Sequence, residues 1–332
     1  MNFSISVVIP NYNGKSLLAD VLPSVVIALS TLSSCSEIIV VDDNSTDDSI
    51  AFIKSNFPEI IVLKNEINLG FSGTMNKGIY AASMDLVLIL NNDVKLLPGY
   101  FEDQLRFFEK PDTFGVNATV LNWDSEILQG GGKLISRHLF KIKANQNYYV
   151  TDLPTDKNAE YLSMFLGGTN ALVDRKKLLQ LQGYNDLFSP FYVEDVELSV
   201  RALRMGWKMY YAPTSECMHQ ISTTITKYNK KKKIKYLTLR NKYYLHFIHL
   251  NGLTLFGWYL QTYLEIAMRL ITLNGTHLKA FLTFIKTKKE AKIEKLKFQQ
   301  LMALNKVPNE ALFDIINNYK AETLARIQPK NN

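Results

Sequence analysis

Four short apolar runs rich in β-branched residues recur in the first third of the chain: ISVVI at 5–9, EIIVV at 37–41, IIVLK at 60–64 and LVLILN at 86–91. Each ends on a polar cluster, at Asn11 to Asn13, Asp42 to Asn44, Asn65 to Gly70 and Asn91 to Asp93. The intervals between them are of helix length. Residues 15–33 and 74–83 read as helices, and Ser45 is placed to cap another. Alternation at βαβ spacing predicts an α/β domain, a mostly parallel central sheet with helices on both faces. In such sheets ligands bind beyond the carboxyl ends of the strands, where all four clusters fall.

No G-x-G-x-x-G follows the first run and no G-x-x-x-x-G-K-[ST] occurs, which disfavours dinucleotide oxidoreductases and P-loop hydrolases. Further on, 94–110 reads as a helix, 115–121 and 128–135 as strands around the glycines at 130–132, and 136–160 as a polar, aromatic loop. FLGGTNALVD at 165–174 resumes the core, and 174–182 reads as a helix. SPFYVEDVELSVRALRMG at 189–206 opens another helix on Glu194 and Asp195, where the helix dipole favours acids. WKMYYAP begins a last strand that runs toward His219.

The 332 residues are 47% hydrophobic, enough for a large core and inconsistent with a disordered or fibrous chain. Two cysteines build no disulfide framework. The chain opens into a strand rather than a leader-like segment and has no window of spanning length, so it reads as cytoplasmic. Charge divides it. Residues 1–226 carry 18 basic and 25 acidic groups, net −7, and residues 227–332 carry 20 and 6, net +14. The basic part is predicted to be helical, a C-terminal extension after a boundary near 226. It has no nucleic-acid recognition pattern. Its lysine run at 230–233 and dense apolar segment at 243–274 suit packing on the core, a homodimer interface, or peripheral contact with an anionic membrane.

The residues with the most chemistry are Asp93, Glu194, Asp195 and His219. A hard divalent ion takes oxygen ligands, and a nucleoside diphosphate supplies most of them, so a protein need add only one or two carboxylates and an imidazole. Asp93, at a strand end behind Asn91 and Asn92, suits that role, with His219 as a further ligand. One acid of the Glu194/Asp195 pair can deprotonate an incoming hydroxyl.

The series VVIPNYNG, VVDDNSTDDS, NEINLGFSGTMNKGI, LILNNDV, FLGGTNALVDR and FYVEDVELSVRALRMGW, then His219 followed by ISTT, resembles the inverting nucleotide-sugar glycosyltransferases of family 2 over residues 4–225. Within them it is most similar to bacterial rhamnosyltransferase-like enzymes of surface polysaccharide synthesis, such as O-antigen and capsule. The resemblance implies a GT-A fold with a nucleotide-sugar half at 1–110 and an acceptor half at 111–226. It implies that Pro10, Asn11 and Tyr12 line the nucleobase and ribose, that Asp42, or Asp43 in its place, accepts from the pyrimidine, and that Asn68, Gly70, Asn76 and Lys77 close the donor site. Asn91, Asn92 and Asp93 match the metal motif usually written D-x-D, with an amide at its first position and Asp93 on the metal. Gly167, Gly168, Thr169 and Asn170 match the acceptor-side strand. Asp195 matches the base, Glu194 an acid that orients the acceptor or helps to position Asp195, and His219 a histidine near the diphosphate or metal.

The expected activity is then metal-dependent inverting transfer, with Mg2+ or Mn2+, from a nucleotide sugar to a glycan or lipid-linked acceptor. dTDP-L-rhamnose is the first candidate donor, and a UDP-hexose or UDP-N-acetylhexosamine the alternative. A nucleotidyltransferase would need a glycine-rich basic loop that NYNGKS lacks, and a non-catalytic glycan- or membrane-binding scaffold would not need the acid pair.

Overall fold

The computed structural model describes residues 2–124, 127–150, 159–220, 230–271 and 275–327. Strand β1 (Ile5–Asn11), helix α1 (Lys15–Ser30), β2 (Ser36–Asp42), α2 (Ser49–Asn56), β3 (Ile61–Lys64), α3 (Gly70–Ala81) and β4 (Leu86–Leu90) alternate along the chain as the sequence predicts. Ser45 does not cap α2, which starts later, after Asp48. Its hydroxyl instead accepts from the Asn13 backbone N–H at 2.9 Å, tying the β1 and β2 loops together.

The next segment departs from expectation. Residues 94–110 form the short strand β5 (Val94–Leu96), turns, and a 3-10 turn at Leu105–Glu109 rather than one helix. Strand pairing of Leu96 with Cys217 takes the first residues, and Gly99, in the left-handed region at φ 77°, turns the chain. β6 (Thr113–Asn122) and β7 (Leu128–Gly130) follow. The expected loop at 136–160 is largely a hairpin, β8 (Gly132–His138) with β9 (Lys141–Tyr148), and residues 151–158 lie outside the described residues. β10 (Tyr161–Leu162), β11 (Asn170–Asp174), α4 (Arg175–Gln180), α5 (Glu194–Arg204) and β12 (Lys208–His219) complete this region.

The large sheet runs β10-β12-β6-β11-β4-β1-β2-β3. β3, β2, β1 and β4 are mutually parallel, β12 is parallel to β6, and β11 is antiparallel to both β4 and β6. Side chains alternate across it. Ile5, Val7 and Ile9 join one apolar cluster with α1, while Val8, Ile39, Val41 and Val87 join a second with α3 and α5 on the opposite face. The C-terminal helices α6 (Lys231–His249), α7 (Gly252–Ile271), α8 (Thr276–Lys286), α9 (Lys288–Leu304) and α10 (Leu312–Ile327) add to the second cluster through Tyr243, Tyr244, Phe247, Phe284 and Phe313. The apolar core therefore does not divide near residue 226, which itself lies outside the described residues. The segment at 243–274 splits: Tyr243, Tyr244 and Trp258 are buried, whereas Leu253, Phe256 and Leu260 face outward.

Candidate active site

Topology brings distant residues to one sheet edge. Register puts Asn11 opposite Asp42 and His219 opposite Val94, so the end of β12 meets the residue after Asp93. A cleft of about 520 Å³ opens there, lined by Pro10, Asn11, Tyr12, Asp43, Asn68, Gly70, Asn91, Asn92 and Asp93 on one side. Gly168, Thr169, Glu194, Asp195 and His219 line the other.

The donor-side loops are cross-tied by side chains. The Asn92 amide donates to Asn11 Oδ1 at 2.9 Å, and the Asn11 amide donates to Asp42 at 3.2 Å. Asp42 also accepts from the Ser45 backbone N–H at 2.9 Å and is fully buried away from the cleft, so of the two adjacent acids it is Asp43 that the cleft exposes. Asp43 accepts from the Asn65 amide at 2.9 Å and from the backbone N–H groups of Leu69 and Gly70 at 2.7 and 3.0 Å. Gly70 sits at φ 75°, and a Cβ there would lie 2.7 Å from Pro190. Phe71 N–H donates to Pro190 O at 2.8 Å, so the donor loop and the loop before α5 touch.

Four further residues fall outside the cleft. Asn76 is buried and grips Tyr184, donating to its carbonyl and accepting from its N–H, both at 2.8 Å. Lys77 is exposed and donates to the Lys64 carbonyl at 2.5 Å. Asn170 is a buried strut that bonds Tyr100, the Ala118 N–H and Cys217. Gly167 precedes the cleft wall and is not on it. The ISTT segment at 221–224 lies outside the described residues.

Asp93 is buried, and its Oδ1 has no hydrogen-bond partner. His219 Nε2 stands 3.6 Å from it, and His219 Nδ1 is held by Gln129 at 3.2 Å. A buried carboxylate oxygen without a donor, beside an imidazole and in the wall of a cleft, fits a cation bound jointly with an anionic ligand. Among the described residues no group of three or more His, Cys, Asp and Glu side chains gathers around one point, so the ligand would supply the remaining oxygens.

Across the cleft, α5 starts without a side-chain cap. The two residues before it, Tyr192 and Val193, have φ of 73° and 77°, a conformation costly for any residue with a Cβ and most for a β-branched one. Helix α6 holds that loop. The Asn241 amide donates to the carbonyls of Phe188, Phe191 and Tyr192 at 2.6, 3.1 and 2.8 Å, and Arg240 donates to Ser189 O at 2.5 Å and to Asn241 Oδ1 at 2.8 Å. So held, Asp195 accepts from Gly168 N–H at 3.3 Å and from Val196 N–H at 2.8 Å. Burial raises its carboxyl above the usual range against these hydrogen bonds and the nearby Lys133. Glu194 is raised further, by burial and then by the charge of Asp195, and its Oε2 has no partner.

Sequence reasoning missed several participants. Phe71, Thr74 and the stretch from Pro190 to Tyr192 line the cleft, the last three one residue ahead of the acid pair. Lys233, from the lysine run, borders the cleft, and Asn241, to which the sequence assigned no role, braces the loop before α5.

A family model described as Glycosyltransferase like family 2 matches residues 2–236. An uncharacterised glycosyltransferase of Bacillus subtilis (strain 168), YwdF, is 31% identical over 143 residues, 42% of this chain and 51% of that protein. The chain thus spans about half the length of that relative. An N-acetylglucosaminyl-diphospho-decaprenol L-rhamnosyltransferase of Mycobacterium tuberculosis is 22% identical over 240 residues, 61% of this chain and 76% of that one. Among solved structures, GalNAc-T7 with UDP, GalNAc and Mn2+ superposes with a TM-score of 0.59 at 20% identity, over 75% of this chain and 48% of that one. At that identity the likeness is one of fold, and the fold is the GT-A arrangement.

Proposed function

The chain belongs to glycosyltransferase family 2, and on that premise we propose that it transfers a sugar from a nucleotide sugar to an acceptor hydroxyl with inversion. The observation that carries the reading is that one cleft holds the buried, partnerless Asp93 oxygen on its nucleotide side and Asp195 on the other.

Pro10, Tyr12 and Asp43 line the nucleotide end, with Asp43 fixed by Asn65 and two backbone N–H groups so that it can accept from a pyrimidine without moving. Asp93 and His219 would hold Mg2+ or Mn2+, which supplies charge neutralisation for the departing diphosphate. Asp195 takes the acceptor's proton as its oxygen attacks the anomeric carbon from the side opposite the diphosphate, the bond to the diphosphate breaks, and the configuration inverts. The raised carboxyl of Asp195 suits this, because a general base works best with a pKa near the working pH. Glu194, the buried acid next to it on the same cleft wall, orients the acceptor or helps to position Asp195. The reactant geometry contrasts with glycosidases, where a protonated acid assists the leaving group.

The donor we propose first is dTDP-L-rhamnose and the acceptor a lipid-linked or growing glycan of a surface polysaccharide, a reading supported by the rhamnosyltransferase relative. Thermal shift of the purified chain against a panel of nucleotide sugars, with Mn2+ and with EDTA, tests it. A bound ligand raises the melting temperature by an amount that grows with concentration over Kd. Metal-dependent stabilisation by dTDP-rhamnose is the expected result. A response to a UDP-sugar alone replaces the donor, and no response to any nucleotide overturns catalysis in favour of a scaffold.

A further inference from the structure

Helix α7 is turned inside out for a helix on the surface of a water-soluble protein. Its inner side buries Trp258, Thr262 and Ile266 against α6 and α8, with ring contacts of 6.3 Å between Trp258 and Tyr243 and 5.4 Å between Tyr263 and Phe281. Its outer side ought to be polar. Instead Leu253, Phe256, Leu260, Leu264, Met268 and Ile271 lie within an arc of about 120° at 3.6 residues per turn, and Leu253, Phe256 and Ile271 are 85%, 68% and 83% exposed. From Gly252 to Met268 the only charged side chain is Glu265, which is tied to Lys141. Among the described residues no helix is long and apolar enough to cross a membrane, so this stripe is of the kind that lies along an interface.

Charge selects the occupant. Tyr236, early in α6, donates to Thr283 of α8 at 2.9 Å and Lys279 of α8 stands 5.4 Å from its ring, while Phe281 of α8 meets Tyr263 of α7, so the lysine-rich start of α6 and the stripe flank the same helix. Lys231, Lys232 and Lys233 are exposed there, and Lys233 borders the cleft. A second copy docked by the same face would bring two regions of net +14 together, and like charge opposes that contact. An anionic bilayer presents the complementary charge and an apolar layer at the same depth.

We propose that the outer face of α7 lies in the headgroup boundary of an anionic bilayer, with the lysines at the start of α6 on its phosphates and the cleft mouth at the same surface. The assignment is independent of which sugar the cleft transfers.

Flotation of the full chain with vesicles of phosphatidylcholine alone, or with added phosphatidylglycerol, tests it. The chain floats with the phosphatidylglycerol vesicles and stays behind with phosphatidylcholine. Phe256→Glu, Leu260→Glu and Leu264→Glu together lower the floating fraction on the order of tenfold or more, and Lys231→Glu with Lys232→Glu does so to a similar degree. Both variants keep the parent melting temperature, because the changed side chains are exposed. A parent chain that floats with neither vesicle, or an apolar variant that floats undiminished, overturns the proposal. So does a dimer in sedimentation velocity that the apolar variant makes monomeric. Equal flotation with both compositions overturns the role given to the lysines. Nucleotide-sugar thermal shift on the same preparations reads the cleft separately, so failure there leaves this result standing.

Discussion

Glu194 and Asp195 are neighbours in the chain whose burial works against their charges. A carboxyl raised in the folded state makes folding less favourable as pH climbs from its unfolded value, 4.5 for Glu194, through the folded one. Below 4.5 both states hold the proton and the difference disappears. Glu194→Gln should therefore stabilise the protein at neutral pH, by about 1 kcal/mol, with the gain fading as pH falls toward 4.5; melts across pH measure this directly. On the proposed roles, activity should move in the opposite direction, because the charge of Glu194 acts on Asp195 or on the acceptor beside it. For Asp195→Asn, transfer should drop about 10²–10⁴-fold, while stabilisation by the donor survives, because no donor-side loop depends on that carboxylate. In the parent chain, kcat/KM should begin to fall on the acid side above pH 3.8, the ordinary Asp value, as protons return to Asp195. An acid limb at or below that value removes Asp195 as the base. Sequence pattern found the acid pair but put Asp42 ahead of Asp43, whereas Asp43 is the one that lines the cleft. Successive residues at a strand end point to opposite faces, and which one meets the cleft depends on the tie from Asn11 to Asp42.

Helix α6 and the loop it grips decide where the acid pair stands. Two consecutive left-handed residues cost about 1–3 kcal/mol each, and the Asn241 amide meets that cost by donating to three carbonyls of the same loop. Asn241→Ala should lower kcat well beyond its effect on the donor's KM, since the donor side is braced by Asp43 and Asn11 instead. Asn241→Asp, of equal size but unable to donate, should do no better, which separates hydrogen bonding from volume; steady-state kinetics on both variants, with melting temperatures as control, makes the comparison. Elements whose pattern is settled by local burial were legible, above all β1, β2, β4 and α5. The β8–β9 hairpin was legible only at its start, in the strand expected at 128–135. Its inward residues Ile135 and Ile142 are few, and what they pack on arrives a hundred residues later, where Ile142 N–H donates to His246 Nε2 at 2.8 Å. The capping reading of Ser45 failed for a related reason, because its hydroxyl was claimed by Asn13 across the sheet.

At the scale of the molecule, one apolar cluster runs from the sheet through α3 and α5 into the C-terminal helices. The composition break near 226 marks a change of charge, and the apolar cluster continues past it. A chain ended after residue 240 should lose α6 from Asn241 onward and with it Tyr243, Tyr244 and Phe247, and should be poorly folded rather than a soluble catalytic fragment; circular dichroism and limited proteolysis against the full chain check this. The brace by Asn241 also has a meaning in time. From Leu90, where β4 ends, to Asn241 is 151 residues, and at ordinary rates of chain synthesis that interval lasts about 8–30 s. A ribosome thus completes the loops after β1 to β4 well before it delivers the clamp for the loop ahead of α5, so a nascent chain holds one wall of the cleft for many seconds before the acid pair opposite it can be braced.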